Sequence, residues 1–228
     1  MIENTAQPII KLSNINYSYE NIPALKDISL QINKGEFIFF TGPNGCGKST
    51  LFRLLNGLIF PTGGKYIFDG KNITEKTLKN SSFAKQFHKR IGYVFQNPGL
   101  QLFNPTVYDE VAFGPRQMGF DENTIHQRVS ELLQYLQIEK LQDRVPYYLS
   151  GGEQKKTAIA AVLALNPDVL LMDEPLNGLD RKSRRWIEDF LQSFSASGKT
   201  ILIATHESEL LQMPHSRTIQ FNEEHCIV

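Results

Sequence analysis

Gly42-Pro43-Asn44-Gly45-Cys46-Gly47-Lys48-Ser49 has the spacing G-x-x-x-x-G-K-S, which is that of a phosphate-binding loop. The apolar run Phe37-Ile38-Phe39-Phe40 precedes it and reads as a buried strand, and Ser49-Thr50-Leu51-Phe52-Arg53-Leu54-Leu55 follows it and reads as a helix. Strand, glycine-rich loop and helix in that order are the context the motif requires. Glycines let the backbone curl so that successive N–H groups face one anion. The helix N-terminus behind the loop adds the positive end of its dipole. Lys48 then reaches the outer phosphates of a nucleoside triphosphate, and the Ser49 hydroxyl can coordinate Mg2+.

Outward from this loop, the bulk composition excludes several classes. The 228 residues allow one large domain, or a core with a small inserted subdomain, and 41% apolar residues suffice for a buried core. Lys plus Arg and Asp plus Glu both number 24, so the basic excess of a nucleic-acid binder is absent. Cys46 lies inside the phosphate loop and Cys226 far from it. A disulfide there would distort the loop, so both are expected as free thiols in a reducing compartment. No run approaches the ~20 apolar residues needed to span a bilayer. Met1-Ile2-Glu3-Asn4-Thr5 lacks the basic start and apolar block of a secretion signal. Any membrane role is therefore expected to come through a partner.

Upstream of the loop, Ile9-Ile10-Lys11-Leu12 and Ile28-Ser29-Leu30-Gln31-Ile32 read as strands of an antiparallel edge sheet. Between them Tyr19 can stack on an adenine face, or be an ordinary strand tyrosine. Downstream, Lys65–Gly70 reads as a hairpin strand, Phe83–Lys89 as a short helix and Ile91–Gln96 as a strand. Residues 97–120 contain the breakers Asn97-Pro98-Gly99, Asn104-Pro105 and Gly114-Pro115, yet carry Leu100, Leu102, Phe103, Val107, Tyr108, Val111 and Phe113. A loop-rich segment this apolar is either the small core of a helical subdomain or a docking groove for a partner's helix. From Asp121, the residues Ile125, Val129, Leu132, Leu133 and Leu136 fall on one face of a helix.

Ser150-Gly151-Gly152-Glu153 is a capping box, in which Ser150 caps a helix and Glu153 reaches back. Two glycines directly after the cap cost about 1 kcal/mol each relative to alanine. Capping does not require them, but close approach of a ligand does, so this helix start reads as a second anion site. Val169-Leu170-Leu171-Met172 is a buried strand ending in Asp173-Glu174. Ligands gather at that edge of a parallel sheet. Asp173 there can hold Mg2+, and Glu174 can orient or deprotonate an attacking water. Asp180 caps the helix carrying Trp186, Ile187, Phe190, Leu191 and Phe194. His206 follows the strand Thr200–Ala204, where it can touch a γ-phosphate. Thr218–Phe221 and His225–Val228 read as a closing hairpin.

Together these pieces resemble the ATP-binding subunit of ABC transporters over essentially the whole chain. Leu149-Ser150-Gly151-Gly152-Glu153 is similar to that family's signature, whose last position is more often Gln. Phe95-Gln96-Asn97-Pro98 through Gln101-Leu102-Phe103, Thr106-Val107 and Val111–Pro115 is similar to the energy-coupling-factor importers and the related cobalt and nickel ATPases. The fold implied is α/β: a P-loop NTPase (RecA-like) core with an antiparallel β edge sheet and an inserted α-helical subdomain. A single ABC ATPase domain would span 1–228, with the core at approximately 1–96 and 165–228 and the helical signature subdomain at approximately 97–164.

The resemblance also implies roles. Gly42, Pro43, Asn44, Gly45, Cys46, Gly47, Lys48, Ser49 and Thr50 bind ATP, and Tyr19 stacks on adenine. Gln96 touches Mg2+ and the attacking water, and links the site to the membrane partner. Ser49 and Asp173 complete the Mg2+ site. Ser150, Gly151 and Gly152 bind ATP held by the opposite subunit, and Asp180 lies on the loop crossing that interface. Glu174 and His206 act in hydrolysis. The expected function is an ATPase driving an energy-coupling-factor importer of a vitamin or transition-metal ion through ATP-driven dimer closure. The expected partners are a second ATPase subunit, like or paralogous, and an integral-membrane subunit docking near residues 97–115, at the cytoplasmic face of the membrane. Nucleic acid is not expected. The alternative is a soluble ABC ATPase acting on ribosomes or DNA, although such chains generally hold two ATPase units or a long coiled-coil insert.

Overall fold

The computed structural model describes residues 7–228; the reading of Met1–Thr5 lies outside them. In chain order the strands are β1 (Ile10–Tyr19), β2 (Ile22–Ile32), β3 (Phe37–Thr41), β4 (Gly63–Phe68), β5 (Lys71–Asn72), β6 (Ile91–Val94), β7 (Val169–Asp173), β8 (Thr200–Ala204) and β9 (Ser216–Gln220). The α-helices are α1 (Lys48–Leu55), α2 (Glu75–Leu78), α3 (Ser81–Arg90), α4 (Val107–Gln117), α5 (Glu122–Tyr135), α6 (Gly151–Leu163), α7 (Arg181–Ala196) and α8 (Ser208–Leu211).

The strands form two sheets. An antiparallel one has the order β2-β1-β4-β5, and a parallel one the order β6-β7-β8-β3-β9. β3, β6, β7 and β8 are buried on both faces, as expected of continuous apolar runs in a covered parallel sheet. Their side chains alternate between two cores. Ile38, Phe40, Leu171 and Leu202 join α1 residues Leu51, Phe52 and Leu55 and the inner face of the antiparallel sheet, with Leu12, Ile28 and Tyr66. Phe37, Phe39, Leu170, Met172 and Ile203 face the opposite way, onto Val111 of α4, Val129 of α5, Ile159 of α6 and Phe190 of α7. The chain is therefore an α/β P-loop fold with an antiparallel sheet at its edge.

The stretch between β6 and β7 contains no strand. Here one expectation is corrected. Gly114-Pro115 was read as a break, but α4 runs through it. Thr106 caps α4 by accepting from the Asp109 N–H at 3.0 Å. Val107, Val111 and Ala112 are fully buried, so packing outweighs the hydrogen bond that Pro115 cannot make near the helix end. Gly114 is where Leu165 seats; a Cβ there would approach the Leu165 side chain to 3.2 Å. The helix start at Asp121 is as expected: its carboxylate accepts from the Thr124 N–H at 2.9 Å.

Candidate functional site

Phosphate-loop residues, Gln96, Asp173, Glu174 and His206 all sit just beyond or at the carboxyl ends of β3, β6, β7 and β8. That edge of an open parallel sheet is where ligands bind. A cavity of about 380 Å³ opens there, lined by Asn44, Gly45, Gly47, Lys48, Ser49, Thr50, Gln96, Asp173, Glu174, Asn177 and His206. Gly47 precedes α1 at φ 113°, with no side chain capping the helix. A Cβ at Gly47 would run into the Ala24 carbonyl oxygen, so only glycine fits in both conformation and space. The first N–H groups of α1 are thus left for an anion.

Lys48 is 7% exposed. Its ammonium donates to the carbonyl oxygens of Gly42, at 2.8 Å, and Pro43, at 3.0 Å. A phosphate oxygen is a charged and stronger acceptor than either. Cys46 is a buried free thiol beneath the loop.

Asp173 is buried, which raises its carboxyl pKa; the Ser49 hydroxyl beside it and the Tyr93 hydroxyl, donating at 3.3 Å, act the other way. Ser49 and Asp173 therefore present a hydroxyl and a carboxylate side by side, a hard-oxygen pair suited to Mg2+. Among the described residues no three His, Cys, Asp or Glu side chains cluster as a metal site. An ion here would need nucleotide oxygens and water as well, the usual habit of Mg2+.

Glu174 is anchored by its N–H, which donates to the Ala204 carbonyl at 2.8 Å. Its backbone takes the left-handed φ of 42°, costly for a non-glycine residue. Its Oε1 accepts from His206 Nδ1 at 2.9 Å. Its Oε2 is buried and has no hydrogen-bond partner among the described residues. Such an orphan is expensive unless something occupies it in use. Glu174 lines the cavity as a residue, so this unpaired carboxylate oxygen belongs to the wall of the same site.

The remaining anticipated residues lie elsewhere. Ser150, Gly152 and Asp180 line a second cleft of about 490 Å³, with Lys156, Ser183 and Trp186. Ser150 caps α6 and Glu153 completes the box, accepting from the Ser150 N–H at 2.8 Å and hydroxyl at 2.7 Å. The two glycines differ. A Cβ at Gly152 would collide with the Ser183 side chain, whereas Gly151 meets only the Gly178 carbonyl at 3.9 Å. Packing within the chain explains Gly152; nothing among the described residues requires Gly151. Asp180 caps α7, accepting from the Ser183 N–H at 2.7 Å. Tyr19 stands outside both cavities: it meets the Tyr17 ring edge-on and accepts from Arg53 Nη1 at 3.3 Å.

Three residues were missed. Asn177 lines the first cavity, and its place four residues after Asp173 was the available signal. Tyr93 donates to Asp173 from inside an apolar strand. Lys155 is 1% exposed and donates to the carbonyls of Phe95 at 3.1 Å and Gln96 at 3.0 Å. Burial pushes its pKa down to about 8.

A family model described as ABC transporter matches residues 25–177. The chain is 51% identical over 219 residues to the nickel import ATP-binding protein LarO of Lactiplantibacillus plantarum, covering 96% of this chain and 91% of that one. It is 38% identical over 215 residues to the energy-coupling factor transporter ATP-binding protein EcfA of Methanothermobacter thermautotrophicus, covering 94% and 68%. Its fold is similar to that of cbiO1 from Clostridium perfringens, part of the ABC transporter complex cbiONQ, with TM-score 0.83 and 36% identity over 97% of this chain and 87% of that one. It is similar also to the dimeric, post-hydrolysis ATP-binding cassette MJ0796 bound to ADP and Pi, with TM-score 0.83 and 29% identity over 96% of each chain. The chain belongs to the ABC transporter family as an ATP-binding, ATP-hydrolysing subunit, and within it matches the cobalt, nickel and energy-coupling-factor type.

Proposed function

We propose that this chain powers an importer of the energy-coupling-factor type by closing with a second ATPase subunit over Mg2+ and ATP. The observation that carries this is the separation of the two anion-binding helix starts. The cavity at α1 and the cleft at α6 have no lining residue in common, so one chain offers two half-cradles. Set head to tail, two chains would complete each half with the other's, making ATP the joint between them. ATP prefers the closed pair, and its hydrolysis removes that preference.

In this reading the N–H groups of Gly45–Thr50 and Lys48 hold the phosphates, and Tyr19 stacks on the base. Ser49, Asp173 and Gln96 are the side chains that would hold Mg2+, whose charge offsets that developing on the phosphate oxygens. Glu174 Oε2 accepts the proton of the attacking water while His206 keeps the carboxylate aimed through Oε1. Ser150 and Gly151 donate to the partner's γ-phosphate, and Asp180 lies on the loop crossing the joint. The core of residues 7–96 and 165–228 would carry the first set, and the helical stretch 97–164 the signature and the docking surface.

The membrane subunit would dock on a groove of about 250 Å³ that includes Phe103, Phe113, Glu110 and Leu165. Leu100 and Phe103 are 78% and 69% exposed beside it, more apolar surface than a loop needs. Among the described residues no helix is long and apolar enough to cross a membrane, so anchoring would come through that partner at the cytoplasmic face. A nickel-import relative at 51% identity favours a transition-metal cargo over a vitamin. These relatives lend no support to action on ribosomes or DNA.

The test has two arms. Size-exclusion chromatography of Glu174→Gln with MgATP should show a dimer that dissociates when the nucleotide is removed. Purification of tagged wild type from membranes in mild detergent should recover an integral-membrane protein. A monomer that hydrolyses ATP at full rate at every concentration defeats the first half; recovery with no membrane protein defeats the second.

A further inference from the structure

Lys155 is buried, yet among the described residues no carboxylate forms an ion pair with it. It sits in the second turn of α6, whose start is capped by Ser150. Its ammonium is spent on two backbone carbonyls, those of Phe95 and Gln96 at 3.1 and 3.0 Å. The counter-charge that acts on it, without contact, is that of Asp173. The adjacent Lys156 behaves differently: it is partly exposed, donates to the Leu136 carbonyl at 2.9 Å and lies over the Trp186 ring.

The other side of the same segment is clamped as well. Gln101 Oε1 accepts from the Phe95 N–H, and its Nε2 donates to the Tyr93 carbonyl, both at 3.1 Å. Tyr93 in turn holds Asp173. The backbone leading to Gln96 therefore has two attachments: one to its own loop through Gln101, and one to α6 through Lys155.

We infer that Lys155 is a positioning residue that fastens α6 to the backbone of Gln96, so that movement of α6 at its Ser150 end repositions Gln96 in this chain's own cavity. The inference rests on the reading of Ser150 as the contact to the partner's ATP and of Gln96 as a residue of this chain's site. It adds a physical link between the two nucleotide sites of a dimer. ATP engaged at Ser150 draws on α6, and the ammonium transmits that displacement to Gln96 through two charge-assisted hydrogen bonds. An apolar residue of similar length would fill the same space but fasten nothing.

The experiment compares wild type, Lys155→Met, Lys155→Arg, Gln96→Ala and the double variant Gln96→Ala with Lys155→Met. ATP affinity is read by nucleotide titration, dimerisation in the Glu174→Gln background by size exclusion, and turnover by phosphate release. Lys155→Met should keep ATP affinity within about threefold and still dimerise, while kcat falls about tenfold or more. Lys155→Arg, which keeps the charge and can span two carbonyls, should restore most of that loss. On top of Gln96→Ala, Lys155→Met should cost nothing further, because residues acting through one another are not additive. Unchanged turnover in Lys155→Met, full additivity with Gln96→Ala, or loss of ATP binding together with turnover would each overturn the proposal. If Lys155→Met does not fold, Lys155→Gln takes its place; failure of both to fold makes Lys155 structural and overturns it. Wild type that neither turns over ATP nor dimerises would instead sink the underlying function, a result separable from all of these.

Discussion

At the scale of single residues, Glu174 shows how a fold holds a carboxylate in an unfavourable state. Its left-handed backbone and its orphaned Oε2 both cost stability. The bond to His206 and the anchor on Ala204 keep it there. Glu174→Gln keeps the shape and much of the hydrogen-bonding capacity but removes the carboxylate proposed as the base. It should lower kcat by roughly 10²–10⁴ in a phosphate-release assay, while ATP binding stays intact. Turnover near that of wild type would exclude Glu174 as the group that takes the proton.

Glu153 gives a pH dependence with a definite sign. The Ser150 hydroxyl, and then the Ser150 backbone N–H, hold its carboxyl below the ordinary glutamate range. A group whose pKa is lower in the folded state stabilises the fold above its unfolded pKa, and that contribution is lost as pH falls through the folded value. The difference in unfolding free energy between wild type and Glu153→Gln should therefore shrink as the solution is acidified through the carboxylate range. A difference that does not change with pH would mean the box contributes nothing as an ion. The same box bears on the signature. A hydroxyl has one proton, so Ser150 must release Glu153 before it can donate to a phosphate.

Among the elements, β6 and α6 are joined at a point the sequence does not advertise. Gly92 lies in an apolar strand, where a glycine is ordinarily a weakness. A Cβ there would collide with Val162 of α6 and approach Pro167 to 3.3 Å. Gly92→Ala should destabilise the chain by about 1–3 kcal/mol through overpacking, measured by chemical unfolding. A neutral effect would show that α6 can shift away from β6. The strand leads directly to Gln96, so turnover should fall along with stability.

Helix α4 makes the complementary case, because its inner face is packed and its outer end carries unsatisfied apolar surface. Phe103 and Phe113 meet edge to face with centroids 5.1 Å apart. The loop before α4 is held by Glu110, whose Oε2 accepts from the N–H groups of Phe103 and Asn104 at 2.9 and 2.7 Å. Phe103→Ser should lower unfolding free energy by about 0.5–1.5 kcal/mol, the edge-to-face contact with Phe113, since the ring is otherwise exposed. It should also reduce recovery of the membrane partner in pull-downs. Unimpaired recovery would move the docking surface elsewhere.

At the scale of the whole molecule, two helix starts, those of α1 and α6, open into different cavities, and the proposed function makes each of them half of a nucleotide site. Dimerisation should therefore be linked to nucleotide. Adding MgATP to Glu174→Gln should lower the dimer dissociation constant, and a titration showing nucleotide-independent association would contradict a joint made of ATP.

Local order in the sequence determined the elements that carry the chemistry. The G-x-x-x-x-G-K-S loop, the acids after Val169–Met172 and His206 after Thr200–Ala204 each follow a buried strand, and parallel strands bring their carboxyl ends to one edge. The continuous apolar run of β3 marked a strand covered on both faces, and the structure shows its alternate side chains entering two cores. Tertiary structure alone decided the rest. Pro115 sits inside a helix because burial of Val107, Val111 and Ala112 on the inner face of α4 outweighs a local preference. Gly152 answers to Ser183, and Lys155 to carbonyls far from it in sequence. Contacts between remote segments depend on how faces pack, and no spacing of residues along the chain encodes which buried donor will meet which acceptor.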